Sequence, residues 1–307
     1  MDVILHVGGH RTATTTLQRV LSKNNGAMQA DRIAYWGPKR TRSDLFLGLL
    51  GNTDLAMPAL GCKTDQAADQ IALEIAALRS EGHLSLLISE ENMLGGLRHN
   101  LYQRQLYPQA EARMFRLRTA LASQVSKIAI AIRCYDRYWA SSLGFGLSRG
   151  GPAPTPQVID GLAAQPRRWR DVIKACKAAF PESELLVWTY EAMAARPDTQ
   201  ITEMIGRKTS IAYNSEWYNT GPRPKKLNEV LIDRGDAPQL IDARQTRFMP
   251  FSPYQRAQLR AHYTDDLIWL RGGADGIARF IEMPAQDGPA TEQGRGRSDE
   301  RYTRHLA

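Results

Sequence analysis

The chain has 307 residues, 43% of them hydrophobic, enough to bury a sizeable core in one large α/β domain or two small ones. Its net charge of +8 and pI near 9.5 point to an anionic partner without choosing among nucleic acid, nucleotide, anionic sugar and membrane surface. Three scattered cysteines (Cys62, Cys134, Cys176) give no disulfide framework and no C-x-x-C spacing, no apolar stretch is long enough to span a bilayer, and MDVILHV is not a signal peptide; the chain reads as soluble and cytoplasmic.

Residues 2–7 read as a buried strand that ends in Gly8-Gly9. His10 and Arg11 follow, then Thr12, Ala13, Thr14, Thr15 and Thr16, and a helical pattern runs from Ala13 to about Asn24. Strand, tight turn and helix N-terminus in that order cradle a phosphate, because free backbone N–H groups, the helix dipole and nearby hydroxyls converge on one anion. Arg32 to Trp36 reads as a short strand, and Lys39, Arg40 and Arg42 form a basic loop before a helical pattern over Leu45 to Leu50. Ala68, Ile71, Ile75 and Leu78 recur at helical spacing between Thr64 and Ser80.

His83 to Ser89 is a second apolar strand-length run, with Glu90-Glu91-Asn92 at its end. Residues 93–109 read as loop, Ala110 to Ser123 as helix, and Lys127 to Ile132 as a strand ending at Arg133. A helix then runs through Trp139 and Leu143 to about Leu147, where Gly150-Gly151-Pro152 stops it. Trp169 to Phe180 is helical and Leu185 to Thr189 strand-like. The last helix, Ser252 to Leu270, opens with a Ser cap and Pro253. Residues 1–283 read as a single α/β domain, and 284–307, which have no apolar periodicity, as a disordered tail.

Alternating strands and helices imply a three-layer arrangement, a parallel sheet with helices on both faces. Ligands of such sheets bind at the carboxyl ends of the strands. Three polar clusters fall there: Gly8 to Thr16, Glu90-Glu91, and Arg133.

Tested as a Walker A loop, the first cluster fails, since the second glycine is Ala13 and the lysine is Thr14. Its basic residue comes earlier, at Arg11. Arg11-Thr12-Ala13-Thr14-Thr15-Thr16-Leu17 resembles the 5′-phosphosulfate loop of the sulfotransferase family, which uses 3′-phosphoadenosine 5′-phosphosulfate (PAPS) as donor. Arg133 and Ser141, eight residues apart in IAIRCYDRYWASS, resemble the family's 3′-phosphate signature. ISEEN at 88–92 and VWTYEAM at 187–193 are similar to two further segments, so the resemblance covers about residues 2–195.

The resemblance implies a P-loop-like fold and a nucleotide held by Gly9, His10, Arg11, Thr12, Ala13, Thr14, Thr15 and Thr16 at one end and by Arg133 and Ser141 at the other. It implies sulfuryl transfer from PAPS to a hydroxyl or amine, with PAP as second product and a small molecule or glycan, read as a carbohydrate, as acceptor. Arg11 would stabilise the leaving group, and Glu91, or its neighbour Glu90, would serve as base. Side chains alternate along an extended segment, so one of the two glutamates faces the site. Arg11 and Ala13 depart from the family's lysine and glycine: an arginine keeps the charge but does not give up a proton, and alanine is penalised if the position needs φ > 0.

His6 reads as a packed core residue, and His10 as a loop residue that could touch the donor or act as a base. No histidine falls at a metal-ligand spacing, so no catalytic metal is expected. Tyr102 and Tyr107 among the arginines of 93–118 read as a solvated face, or else as an acceptor lid. The alternatives are a non-catalytic nucleotide-binding protein of the same fold and a P-loop small-molecule kinase. A nucleic-acid binder ranks last, because no such module is legible. Neither stable membrane insertion nor a particular oligomeric state is indicated.

Overall fold

Six strands, β1 (Asp2–Gly8), β2 (Ile33–Trp36), β3 (Ser85–Ser89), β4 (Val125–Ile132), β5 (Glu184–Thr189) and β6 (Arg279–Phe280), form one parallel sheet in the order β2-β3-β1-β4-β5-β6. They belong to a computed structural model that describes residues 1–43, 46, 49–50, 58–121, 124–213, 221–236, 241–242 and 244–283. The expected helix over Leu45–Leu50 falls partly, and the expected tail at 284–307 wholly, outside the described residues.

Side chains of a strand alternate between faces, and here both faces are apolar. Val3, Leu5 and Val7 join Leu86, Ile88, Ile128, Ile130, Leu185 and Val187 in one buried cluster, under the helices Pro58–Ser80, Ala110–Leu121, Tyr135–Ser148, Trp169–Ala179 and Pro253–Arg271. Ile4, Leu87, Ala129, Leu186 and Trp188 join a second cluster, with Leu17 and Leu21 of the Thr14–Lys23 helix and Ile201 and Met204 of the Pro197–Ile205 helix. The architecture is therefore helix–sheet–helix. Near-continuous apolar strands are what a sheet covered on both sides requires. Among the described residues no helix is long and apolar enough to cross a membrane.

The four expected strands and the short one at 33–36 are present. The loop expected over 93–109 instead contains a helix, Leu97–Gln103, with Leu97 and Asn100 turned inward. Seven residues are too short to display a period against a polar background. Helices Pro156–Ala164, Pro197–Ile205 and Pro224–Asp233 and strand β6 complete the order of elements.

The chain leaves β1 toward β2 on one side and leaves β4 toward β5 on the other. The loops after β1 and β4 thus part company at the centre of the sheet, which is where an open parallel sheet forms its crevice. Gly8–Ala13 and Arg133 are the residues placed there.

Candidate functional site

The loop after β1 begins with a register shift between His6 and Gly8 in the pairing with β4. Gly8 then takes φ +85°, and a Cβ there would lie 3.0 Å from Glu91 Cβ. Both the backbone and the packing therefore demand glycine. Arg11 and Ala13 also adopt left-handed conformations, φ 62° and φ 66°. Ala13 thus occupies the kind of position that favours glycine, and it caps the Thr14–Lys23 helix in a strained state.

The loop's backbone donors divide into two sets. Gly9 N donates to Ala131 O (3.3 Å) and His10 N to Tyr107 Oη (2.7 Å), which fastens the loop to the protein. Among the described residues the N–H groups of Thr12, Ala13 and Thr14 have no partner, as expected at a helix start that can receive an anion. The hydroxyls behave differently from expectation. Thr12 Oγ1 and Thr14 Oγ1 both donate to Gly9 O, at 2.6 and 3.2 Å, so their protons close the loop on itself. Thr16 is buried, whereas Thr15 is half-buried.

Arg11 is the hub of the site. Its Nε donates to Ser141 Oγ at 3.0 Å, its guanidinium lies 4.8 Å from the Phe145 ring centroid, and its carbonyl accepts from Arg133 Nη1 at 2.5 Å. The loop and the Arg133–Ser141 pair, distant in sequence, are therefore one constellation joined through Arg11. Burial pushes the Arg11 guanidinium down to about 10, the neighbouring Arg133 charge adds to this, and Glu91 opposes it. It stays charged at neutral pH. Two adjacent half-buried cations repel each other, and an anion between them relieves that repulsion.

Beyond Arg133 a cleft of about 350 Å³ is lined by Arg133, Cys134, Asp136, Arg137, Tyr190, Glu191, Arg247 and Arg260. Arg133 stacks on Tyr190 at 4.1 Å, and its buried Nε has no hydrogen-bond partner. Burial lowers the Arg133 pKa, and Arg137 and Arg247 lower it further against Tyr190 and Glu191. The two carboxylates of the cleft are already engaged. Asp136 pairs with Arg260 at 2.8 Å, and Glu191 accepts from Cys134 N and Tyr263 Oη at 3.1 and 2.9 Å. The cleft is accordingly cationic. Sequence reading missed Arg247 and Arg260, which arrive from a remote segment; no local signal could have placed them.

The two glutamates separate cleanly. Glu90 is fully buried and accepts from Arg42 Nε (2.8 Å), Arg42 Nη2 (2.9 Å), Thr41 Oγ1 (2.8 Å) and its own helical turn at Asn92 N (2.9 Å). Burial alone would raise its pKa, but the hydrogen-bonded Arg42 charge holds it below the ordinary value. Glu90 is a structural anchor, and its place as an alternative base is not supported by this geometry. Glu91 points the other way. It packs against Gly8, its charge is felt by His10 and Arg11, and Arg42 Nη2 reaches its Oε1 at 3.7 Å.

His10 is buried and does not offer its ring to a ligand. Nδ1 meets Tyr107 Oη at 2.8 Å and Nε2 meets Asn92 Oδ1 at 3.2 Å. His6 is the core residue expected, bonded to Ser89 Oγ at 2.8 Å and stacked on Trp188. Of the two expectations for 93–118, solvated face or acceptor lid, Tyr102 fits the solvated one, while Tyr107 and Arg113 fit neither. Tyr107 is wholly buried, and Arg113 donates to the carbonyls of Met93 (3.2 Å), Leu50 (2.8 Å) and Asn92 (2.7 Å). Arg40 pairs with Glu74 and Arg42 with Glu90, so these two cations brace the scaffold.

Comparison of the chain with known protein families, with characterised proteins and with solved structures yields no match.

Proposed function

We propose that this protein is a PAPS-dependent sulfotransferase of P-loop-like fold, moving a sulfuryl group to a hydroxyl or amine of an acceptor that we read as a carbohydrate. The observation that carries the reading is the linkage through Arg11 of two anion-seeking elements. One is the left-handed loop with its unpartnered N–H groups; the other is the cationic cleft around Arg133. A nucleotide phosphorylated at both ends has the complementary charge. ATP concentrates its charge at one end and leaves the Arg133 cleft without a purpose.

In this reading the N–H groups of Thr12, Ala13 and Thr14 hold the 5′ end, and Arg11 offsets the charge that grows on the departing phosphate. Ser141, expected beside Arg133 at the 3′-phosphate, is not among the residues that line that cleft, and in this reading it orients Arg11 through the 3.0 Å bond to its Nε. Arg133, supported by Arg137 and Arg247, holds the 3′-phosphate, with Tyr190 beneath it. Glu91 takes the acceptor proton as the acceptor oxygen bonds to sulfur. The sulfur–oxygen bond to the 5′-phosphate breaks, and its electron pair stays on the phosphate of PAP. Little covalent chemistry is asked of the protein, so positioning and charge do most of the catalysis.

Thermal shift with PAP, ATP and ADP at matched concentration tests the donor. PAP is expected to stabilise most, and Arg133→Ala to abolish the effect; preference for ATP with Mg²⁺ would defeat the reading. Labelled sulfate transfer then tests the roles: Glu91→Gln and Arg11→Ala should each lose about 100-fold or more in rate. Binding of PAP without any transfer to an acceptor panel would favour the non-catalytic binder instead.

A further inference from the structure

His10 is engaged on every side by protein groups whose chemistry fixes its proton. Asn92 Oδ1 can only accept, so the 3.2 Å contact requires a proton on His10 Nε2. In the neutral ring that leaves Nδ1 bare, so the 2.8 Å contact takes the hydrogen of Tyr107 Oη, which itself accepts from His10 N at 2.7 Å. The neutral Nε2–H tautomer satisfies all three contacts at once, whereas an imidazolium would put two donors of the same residue, Nδ1–H and the backbone N–H, on Tyr107 Oη. The charged groups facing the ring are Glu91, Glu90 and Arg42, and burial outweighs the two carboxylates in keeping it neutral.

Asn92 is the residue next to Glu91. Its side chain is held by His10, its carbonyl by Arg113 at 2.7 Å, and its N–H by Glu90 at 2.9 Å. On the other flank Glu90 is held by Arg42 and Thr41. Glu91 therefore stands between two immobilised neighbours, and only one of the fastenings, the His10–Asn92 bond, comes from the phosphate loop itself. We propose that His10 is a positioning residue, a neutral imidazole whose Nε2–H holds Asn92 and so fixes the backbone that carries Glu91 against the phosphate loop. The inference rests on the reading of Glu91 as the base. It assigns His10 a part distinct from donor binding and from proton transfer, because neither ring nitrogen is open to a substrate.

Two substitutions separate the bonds. Gln at this position keeps a donor near Nε2 and gives up the bond to Tyr107; Asn keeps a polar group near Nδ1 and gives up Asn92. Turnover of labelled PAPS should fall about 10- to 100-fold in His10→Asn and Asn92→Ala, and distinctly less in His10→Gln, with PAP affinity by calorimetry retained in all three. Equal losses in His10→Asn and His10→Gln, or PAP affinity falling in step with turnover, would overturn the proposal. Two-bond ¹H–¹⁵N correlation spectra of ¹⁵N-histidine protein supply a readout independent of turnover. The signal lost in His10→Gln should show protonated Nε2 and bare Nδ1, unchanged from pH 8 to about 5.5, where an ordinary histidine titrates. Asn92→Ala should perturb it. A ring that titrates in this range, carries its proton on Nδ1, or ignores Asn92→Ala refutes the assignment. If the parent protein turns over no PAPS while the spectra behave as expected, the sulfuryl-transfer reading fails and the His10–Asn92 lock stands.

Discussion

Ala13 shows how much one side chain decides locally. At φ 66° it keeps a left-handed conformation that its Cβ opposes, at a helix start where glycine would be relaxed. Ala13→Gly is expected to stabilise the protein by about 1 kcal/mol, read as a higher urea midpoint at unchanged slope. A loss of stability would mean that the loop is not strained at this position. His6 makes a second argument from a single residue. Burial pushes its pKa from 6.5 to about 4. Below 6.5 the unfolded chain therefore takes up a proton that the folded chain refuses. Stability contributed by the neutral ring is complete above pH 6.5, falls as pH drops, and is spent near pH 4. At ~1.4 kcal/mol per unit this amounts to about 3 kcal/mol. Denaturation series at pH 7 and pH 4.5 should show the parent losing more than His6→Gln by most of that amount; parallel losses would count against it.

Among the elements, the Pro253–Arg271 helix was legible from its first residues. Ser252 Oγ accepts from Gln255 N at 3.2 Å, and Gln255 Oε1 accepts from Ser252 N at 2.9 Å, with Pro253 at the first turn. Ser252→Ala should cost about 1 kcal/mol in chemical denaturation, and no change would show the cap to be idle. The same signals stood at Thr155-Pro156, where Thr155 accepts from Val158 N at 3.4 Å, yet that helix was not expected. Its nine residues bury only Leu162 and Ala163, too few to make a period. The Leu97–Gln103 helix escaped for the same reason. The strands were legible because a sheet covered on both faces writes continuous apolar runs into the sequence.

At the scale of the molecule, three helices meet on one carboxylate. Asp266 Oδ2 accepts from Tyr135 Oη at 2.5 Å and from Trp169 N at 3.3 Å, and Oδ1 accepts from Arg170 Nε at 2.7 Å. Tyr135 begins the helix that follows Arg133 and carries Ser141, so this tie sets one wall of the cleft. Asp266→Ala leaves the buried Tyr135 hydroxyl without its acceptor and Arg170 without its partner, while Trp169 N keeps Tyr135 Oη at 2.5 Å, and should cost about 3 kcal/mol by urea denaturation. Less than about 1 kcal/mol would show that the helices dock without it.

The sequence by itself determined the parallel α/β plan, the turn after β1, the helix that opens at Thr14, and the candidacy of Arg11, Arg133, Ser141 and the two glutamates. These are written in local pattern: apolar period, glycine at a tight turn, charge at strand ends. Only the tertiary structure decided which of them act together. Glu90 and Glu91 are neighbours of one chemistry, and a half-turn of backbone sends one into a cage of Arg42 and Thr41 and the other onto Gly8. His10 looked like a ligand-facing loop residue until Tyr107 and Asn92, each more than eighty residues away, claimed both of its nitrogens. Arg247 joined Arg133 from 114 positions downstream. Partners so far apart in the chain are set by how helices pack on a sheet, which depends on every side chain in the core and leaves no local mark in the sequence.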